Sequence, residues 1–359
     1  MRAAIVISEH PVSTTNTLRG IIGSEIEKLY VIHDYVSLAL PFLMRFDYLP
    51  KVQTFITPSW AWRSTVGRTM FKLLLLTFVL MKHRPDIVIG WHTDYAPIAF
   101  LGAALFHRPL VACIDDSPRT WRRRNYLLPL LKRAHCVTTT GTSSRNRLIK
   151  RGLPADSLFI MPNGIDIGKF QQKAENEYPR YDLVTVNRLS PEKNLDTFLK
   201  AVVLVCKKIP DVRVAIVGDG PLREALQLKA RQLGLDHNVV FAGWRDPQPY
   251  FRLSKVFVTT TVSEGLPVSM LQAMASGLPC VVSGIDDIPD IAKDGINSLV
   301  IPNPYDACGF ADAIRRLLNN EALRTELGEN SRRLVQKYSF QNASTSWNTI
   351  LQHISTNRS

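Results

Sequence analysis

Short apolar runs alternate with loops rich in glycine, proline and polar residues from one end of the chain to the other. Residues 3–8, 30–33, 86–91, 110–114 and 136–139 read as strands, several of them apolar without interruption, as in strands that a parallel sheet buries on both faces. Between them, helical spacing of apolar residues predicts helices over 18–29, 68–82, 96–105 and 119–134. Residues 35–68 mix aromatic, aliphatic and basic side chains, as in Trp60-Ala-Trp-Arg63, and are expected to be mobile or surface-seeking. The second half repeats the alternation with clearer punctuation. Strands are predicted over 181–187, 212–217, 239–242, 256–262, 280–282 and 298–301, and helices over 222–233, from Pro267 onward and near the carboxyl end. A further helix follows Asn194, which is expected to cap it, and Pro267 suits a first helical turn.

Strand and helix in regular succession predict an α/β fold of doubly wound parallel sheets. At 359 residues the chain is too long for one ordinary core and fits two domains. The expected division is 1–166, a linker at 167–180, a second domain at 181–340, and a closing helix at 341–359 that packs back on the first domain. Two such domains face to face make a cleft, and in such sheets ligands bind beyond the carboxyl ends of the strands.

Composition adds a sharp asymmetry of charge. The net charge is +13, and the first 170 residues carry 22 Lys and Arg against 11 Asp and Glu, so nearly all the surplus lies there. A basic half suits a nucleic acid, an anionic membrane or acidic substrates. No recognition helix or aromatic-interleaved sheet supports a nucleic acid. The basic segment with Arg119, Arg122, Arg123, Arg124, Lys132 and Arg133 among Trp121, Tyr126, Leu127, Leu128 and Leu130 suits a membrane surface, with Lys72, Lys82 and Arg84 adding to it. Met70, Met81 and the run Leu73 to Leu76 are expected in the core. The longest apolar run falls short of the ~20 residues that span a bilayer, and the amino terminus reads as a buried strand with no leader peptide. Five cysteines without metal-ligand spacing point to reduced thiols and a cytoplasmic compartment.

The candidate chemistry lies on loops. Arg188 and Lys193 share a strand-to-helix loop and could clamp a diphosphate, although two solvated cations would look the same. Gly218, Asp219 and Gly220 form a tight turn, which needs no ligand. Glu264 precedes a helix start whose first amides, at Val268 and Ser269, suit a phosphate, and Gln272 shares that helix's polar face with Ser269 and Ser276. Glu264 and Gln272 could hold sugar hydroxyls. His92 and the pair Asp115 and Asp116 follow strands, but too few oxygen ligands accompany that pair for a metal site.

The order of motifs decides among these readings. Asn187-Arg-Leu-Ser-Pro-Glu-Lys-Asn194, Val217-Gly-Asp-Gly-Pro-Leu-Arg223, Phe241-Ala-Gly243, Ser263-Glu-Gly-Leu-Pro267, Ala273-Met-Ala-Ser-Gly-Leu-Pro279 and Asp294-Gly-Ile-Asn297 follow one another. Together they resemble the nucleotide-binding half of the retaining glycosyltransferases of family 4, and Met161-Pro-Asn-Gly-Ile-Asp166 resembles the family's turn into the interdomain linker. The resemblance implies the GT-B fold, two Rossmann-like domains facing a central cleft. It makes the first domain acceptor- and membrane-facing and the second the binder of a nucleotide-diphosphate sugar. Arg188 and Lys193 would grip the donor diphosphate and Glu264 the transferred sugar. Gly218, Asp219, Gly220, Gly265, Leu266, Pro267, Val268, Ser269 and Gln272 would line the donor site. No metal or other cofactor is implied. The acceptor would be a glycan or a lipid-linked glycan in cell-surface polysaccharide synthesis, reached at the inner membrane face.

Four departures stand out. Gln272 occupies a position where the family usually has a ribose-binding Glu, and Pro267 replaces a glycine. The first loop lacks the usual glycine pair, and Asp115 stands where a histidine is common, which makes it a candidate for that histidine's sugar contact. A catalytically weak GT-B protein that binds nucleotide or scaffolds an assembly is the alternative these departures keep open. An epimerase of the same fold would need catalytic acids and histidines that no motif supplies.

Overall fold

A computed structural model describes residues 1–6, 24–34, 52–57, 65–91, 96–114, 125–171 and 180–356. The chain divides into two compact units, Met1–Gly164 with Phe340–Ser359, and Ile165–Ser339.

The first unit is built on β1 (Arg2–Val6), β2 (Lys28–Asp34), β3 (Val52–Thr57), α1 (Thr65–His83), β4 (Ile87–Trp91), α2 (Ala96–Leu105), β5 (Leu110–Ile114), β6 (Cys136–Thr139), α3 (Thr142–Lys150) and β7 (Leu158–Ile160). Its seven strands form one parallel sheet in the order β3-β2-β1-β4-β5-β6-β7. The uninterrupted apolar runs are explained by two covered faces. Ala4, Val6, Val88 and Ala112 pack with Leu76, Leu80, Ile98 and Ala103 of α1 and α2. Ala3, Ile5, Ile89 and Val111 face the other way and pack with Trp347, Ile350 and Leu351 of the closing helix Phe340–Thr356. Side chains of successive strand residues alternate between faces, so every position in such a strand must be apolar. Helices α1 and α2 meet closely at Gly102, where a Cβ would lie 2.5 Å from Leu76 Cδ2.

Several expectations for this unit change. Lys28 and Leu29 belong to β2 rather than to a helix over 18–29, because Leu29 and Val31 fill one face of the sheet and Tyr30 and Ile32 the other. The stretch 35–68 contributes β3, paired in register with β2 from Leu29 to Val52. The basic helix expected over 119–134 is, in its described part, a 3-10 turn at Asn125–Leu127 and a single α-turn at Leu128–Leu131. Leu127 and Leu131 are buried in the core, so they are not available to a membrane. Arg119 to Arg124 lie outside the described residues. Helix α3 and strand β7 had no counterpart in the sequence reading. Lys72 is fully buried, whereas Met70, Leu74 and Met81 are exposed, the reverse of their expected places.

The second unit contains β8 (Tyr181–Val186), α4 (Leu195–Cys206), β9 (Val214–Val217), α5 (Arg223–Gln232), β10 (Val239–Gly243), β11 (Ser254–Thr259), α6 (Val268–Ala275), β12 (Cys280–Ser283), β13 (Ser298–Ile301), α7 (Ala307–Leu318) and α8 (Glu321–Leu334). Its six strands are parallel in the order β10-β9-β8-β11-β12-β13. One face is filled by Phe198, Leu199, Val202, Phe310 and Ile314 from α4 and α7, the other by Phe251, Met270, Leu271 and Met274. Residues 167–171, expected in a linker, form a short helix of this unit, Ile167–Gln171. Residues 172–179 lie outside the described residues. The chain winds outward in both directions from β8 and β11, which lie side by side. The loops leaving their carboxyl ends are therefore neighbours at the point where strand order reverses, the place such sheets bind ligands.

Candidate active site

Two loops meet at that reversal. The loop after β8 carries Arg188, then the 3-10 turn Pro191–Lys193, and the loop after β11 runs from Thr260 to Pro267. They are stitched by hydrogen bonds rather than by apolar packing. Val262 N donates to Glu192 O at 2.9 Å, Thr261 Oγ1 to the same carbonyl at 3.0 Å, and Thr260 Oγ1 to Asn194 O at 2.9 Å. Asn194 Nδ2 returns bonds to Thr260 O at 3.1 Å and Pro304 O at 2.7 Å. Asn194 precedes α4 in the left-handed conformation, φ +49°, and its side chain bonds no helix amide. It ties three loops together instead of capping by its side chain. Asn tolerates that conformation better than most residues, which accounts for its place there.

Lys193 and Glu264 are brought together by this stitching. Lys193 Nζ donates to Glu264 Oε2, and both side chains are largely shielded, at 16% and 20% exposure. Glu264 is held from behind, its amide donating to Asp286 Oδ2 at 3.0 Å. Asp286, on the loop after β12, has φ +51°, so a left-handed aspartate fixes the backbone of the acid. Beneath the pair, Ser190 Oγ donates to Glu192 Oε1. Burial alone would raise the Glu192 pKa, but the Ser190 hydroxyl, a backbone amide, Lys193 and Arg188 outweigh it and hold the carboxyl below its ordinary value.

Arg188 is exposed at the edge of the same loop, while Leu189 is fully buried and anchors it. The turn after β9 braces it from the other side. Leu189 N donates to Asp219 O at 2.9 Å and Leu222 N to Leu189 O at 3.0 Å. Both glycines of this turn are required by close approach. Gly218 has φ +131°, and a Cβ there would lie 1.9 Å from Asn187 O; a Cβ on Gly220 would lie 2.5 Å from Leu189 O. Asp219 turns its carboxylate to Gly220 N at 2.8 Å and Arg223 Nη1 at 2.7 Å. In this structure Gly218, Asp219 and Gly220 thus shape the loop that presents Arg188.

Gly265, Leu266 and Pro267 are buried and lead into α6. Pro267 is the N-cap residue, with φ −71° and ψ 115°, one place before the first helical turn. Met270 N and Leu271 N donate to Pro267 O at 3.1 and 3.2 Å. The amides of Val268 and Ser269 come before any carbonyl of the helix that could accept from them, and the positive end of the helix dipole lies there. Ser269, Gln272 and Ser276 are half-buried along one side, while Met270, Leu271, Ala273, Met274 and Ala275 are buried. The far end of α6 is closed by Gly277, φ +80°, and by Arg332 Nη2 donating to Ser276 O at 3.0 Å. Asp115 and His92 lie outside the described residues. Among the described residues no group of three His, Cys, Asp or Glu is placed to hold a metal ion.

This side of the second unit thus offers a guanidinium, a shielded Lys–Glu pair and a helix start along neighbouring strand ends, with hydrogen-bonded loops fixing them. Such an arrangement can hold a diphosphate through charge and oriented amides, and place a carboxylate beside what the diphosphate carries. Asp286 and Glu192 were not singled out as positioning residues by the sequence reading. The local signals were an aspartate in a short loop, where left-handed backbone is tolerated, and a carboxylate between two cations.

Comparison with known proteins places the chain in a family. The family model for glycosyl transferases group 1 matches residues 166–334, and that for glycosyltransferase family 4 matches residues 31–169. The lipopolysaccharide core biosynthesis glycosyltransferase LpsE of Rhizobium meliloti is 30% identical over 296 residues, covering 76% of this chain and 82% of that protein. The chain belongs to glycosyltransferase family 4. Within family 4, the UDP-Gal:alpha-D-GlcNAc-diphosphoundecaprenol alpha-1,3-galactosyltransferase of Escherichia coli is 27% identical over 77% of this chain and 78% of its own length. The poly(ribitol-phosphate) alpha-N-acetylglucosaminyltransferase of Staphylococcus aureus is 31% identical over 65% of this chain, which spans only 47% of that longer protein. Among solved structures, Anabaena HepE in complex with UDP and glucose superposes with a TM-score of 0.84 at 18% identity, covering 99% of this chain and all of that one. At that identity the likeness establishes the GT-B fold, two Rossmann-like domains, and this family 4 chain is a glycosyltransferase.

Proposed function

We infer that the protein transfers a hexosyl or N-acetylhexosaminyl group from a nucleotide-diphosphate sugar to a glycan or lipid-linked acceptor, with retention of configuration, in cell-surface polysaccharide synthesis. The observation that carries this reading is the Lys193–Glu264 pair held beside Arg188 and the start of α6. Arg188 and Lys193 bind the donor diphosphate and stabilise the charge that grows on it as the glycosidic bond breaks. The amides of Val268 and Ser269 cradle one phosphate, and Gly265, Leu266 and Pro267 set their position. Glu264 accepts from hydroxyls of the sugar, and Gln272 holds the ribose. With the charge met by two cations and a helix start, the reaction proceeds without a metal. Lys193 serves both Glu264 and the diphosphate, so the ion pair keeps both side chains aimed before donor arrives. That spares reorganisation in the transition state.

The relatives' acceptors, a diphosphoundecaprenol-linked sugar and a poly(ribitol phosphate), support an acceptor of lipid-linked or polymeric type. The positive surplus of the first 170 residues supports work at an anionic membrane, at its inner face. Asp115 is assigned the sugar contact of the histidine common at its position in the family. Its test is the turnover of Asp115→Ala beside that of Glu264→Ala, and an unchanged rate in the former removes the role.

Calorimetry with UDP, GDP and ADP, followed by donor hydrolysis with the matching sugars, tests the whole reading. One nucleotide is expected to bind, and Arg188→Ala and Lys193→Ala each to lower turnover by about a hundredfold, the scale of losing one charge-stabilising donor. No binding to any of the three would refute the enzyme reading. Binding with no hydrolysis or transfer would favour a nucleotide-binding scaffold, which Gln272 in place of the family's glutamate makes the specific competitor.

A further inference from the structure

The first unit carries a second concentration of charge far from its carboxyl strand ends. Helix α1 ends just before β4, α2 just before β5, and the turn after Leu131 just before β6, so all three connections fall on the amino-end edge of the sheet. They place Lys82, Arg84, His107, Arg108, Arg133 and His135 along that edge. Between the last two connections lies a cavity of about 530 Å³ lined by Phe100, His107, Arg108, Arg133 and His135 among others, with no carboxylate among the described residues of its wall. Its volume is within the roughly 300–1,000 Å³ of small-molecule sites. Arg108 Nε is buried and makes no hydrogen bond. Among the described residues no acid pairs with Arg108 or Arg133; of the acids that precede strands on this edge, Asp86 accepts from Arg2 N at 2.7 Å and Glu27 pairs with the Met1 amino group at 3.5 Å. The end of α2, with its negative dipole, accounts for the basic side chains of its own connection, His107 and Arg108. It does not account for Arg133 and His135, which come from another connection, nor for the cavity between them. His107 has φ +51°, a conformation that a non-glycine residue adopts at a cost.

The surface beside the cavity is apolar. Along α1, Met70, Leu74, Phe78 and Met81 are between 46% and 65% exposed, and on α2 Leu101 and Leu105 are 44% and 60% exposed. The α1 residues recur every three or four positions and so form one stripe. Both helices cover the same face of the sheet, so their outward sides meet the same medium. Lys82 Nζ lies 5.2 Å from the centre of the Phe78 ring, a cation at the end of the stripe. A basic cavity roomy enough for a phosphate-bearing headgroup and bordered by exposed leucine, methionine and phenylalanine matches one chemistry: an anionic headgroup with acyl chains beside it.

We propose that the cavity between α2 and the β6 connection receives the phosphate of an anionic membrane lipid, with the outward stripes of α1 and α2 seated among the acyl chains. The proposal rests on the membrane reading above and sharpens it from diffuse attraction to a defined site. The site lies a strand's length, about 16 Å for five residues, from the carboxyl edge, so it anchors the enzyme without entering the reaction.

The test is sedimentation of the full chain with vesicles of phosphatidylcholine alone or with 30 mol% phosphatidylglycerol, at about the physiological ionic strength that limits screening to ~8 Å. Wild type is expected to bind the anionic vesicles. Removing a cation in contact with the surface costs about fivefold, so Arg108→Gln with Arg133→Gln should weaken binding by about 25-fold. Lys150→Gln with Arg151→Gln removes equal charge elsewhere on the unit and should change it less than twofold. Equal losses in the two pairs would overturn the headgroup site and leave diffuse membrane attraction standing. No binding by wild type would overturn both, while nucleotide binding, measured without lipid, would still report on sugar transfer. Arg133→Gln alone, at an exposed position, and His107→Gly, which relieves the backbone, guard against misfolding and should each show a partial loss. Leu74→Asp with Leu105→Asp should abolish vesicle binding; if it instead dissolves a dimer seen by ultracentrifugation of the wild type, the stripe is a subunit interface and the proposal fails. Calorimetric saturation of the cavity by inorganic phosphate without vesicle binding would assign it to a soluble ligand and also overturn the proposal.

Discussion

Gly218→Ala isolates the role of close backbone approach in presenting Arg188. The new Cβ would lie 1.9 Å from Asn187 O, where real Cβ atoms essentially never come within 3.0 Å, and the backbone there has φ +131°. The conformation alone costs a non-glycine residue about 1–3 kcal/mol. Relieving the overlap requires the Asn187 carbonyl, or the turn itself, to move by more than an ångström, a further cost of about 1–3 kcal/mol on the scale of overpacked cores. Gly234→Ala is the matched control, because Gly234 also has positive φ, +71°, but a Cβ there meets nothing within 4 Å. It should lose only the conformational part, about 1–2 kcal/mol. In thermal unfolding of the second unit, at about 2–4 °C per kcal/mol for a domain of this size, Gly218→Ala should melt several degrees below Gly234→Ala. The displaced carbonyl belongs to the residue before Arg188, so nucleotide affinity should fall by about tenfold, one charge-assisted hydrogen bond's worth, in Gly218→Ala and stay unchanged in the control. Equal melting temperatures, or equal nucleotide affinity in the two variants, would refute the argument that this glycine is kept for the fit of two loops.

Three further perturbations test other parts of the site and core. Asp286→Ala removes the acceptor of the Glu264 amide and should lower kcat about tenfold with little change in KM for donor, whereas Asp286→Asn, which keeps an acceptor oxygen, should recover most of it; no recovery would count against a positioning role. The Glu192 carboxyl is held below its ordinary pKa in the folded state, so it contributes stability above the unfolded value of about 4.3 that is lost as pH falls through the folded value. Glu192→Gln should therefore be less stable than wild type at pH 7, with the gap closing in acid, and a gap independent of pH would refute the assignment. Burial raises the Cys113 and Cys136 thiols to about 12 and Cys280 higher still, while Cys308 is exposed. Titration of the native protein with a thiol reagent at pH 8 should show a fast equivalent from Cys308, a slower one from half-buried Cys206, and Cys113, Cys136 and Cys280 only on unfolding; four fast equivalents would show that the cores around β5, β6 and β12 are open.

Sequence alone revealed most of the second unit because its constraints are local. The strands are apolar at every position, since both faces of the sheet are covered, and each loop announces itself by a residue its backbone needs, as at Gly218 and Asn194. What escaped were interactions between loops distant in sequence. Nothing near Glu264 signals that its amide is held by Asp286, and nothing near Asn194 signals that its side chain reaches Pro304 O. Pro267 was read one position too deep, because proline suits both the N-cap here and the first turn. In the first unit β3 was missed because Val52-Gln-Thr-Phe-Ile-Thr57 mixes polar and apolar residues without alternation, and the 119–134 segment was read as one helix because its leucines recur at helical spacing. In its described part, from Asn125 on, Pro129 and the short chain before β6 leave room for only one α-turn, Leu128–Leu131.

The misplacement of Met70, Leu74 and Met81 has a different origin and the widest consequence. A helix apolar on all sides is ordinarily buried on all sides, and by that rule α1 belonged wholly in the core. The sheet, however, covers only the side bearing Leu76, Val79 and Leu80, which are buried, while Met70, Leu74, Phe78 and Met81 stay exposed. A stripe this apolar is costly to leave in water at about 25 cal/mol per Å², and no sequence rule for soluble helices accounts for it. The membrane lipid proposed above would cover it. The basic residues at the end of the same helix, Lys82 and Arg84, and those of the cavity beyond it would favour an anionic lipid over a neutral one. On that proposal the excess charge of the first half and the excess apolar surface of α1 would have one cause, an anionic lipid surface.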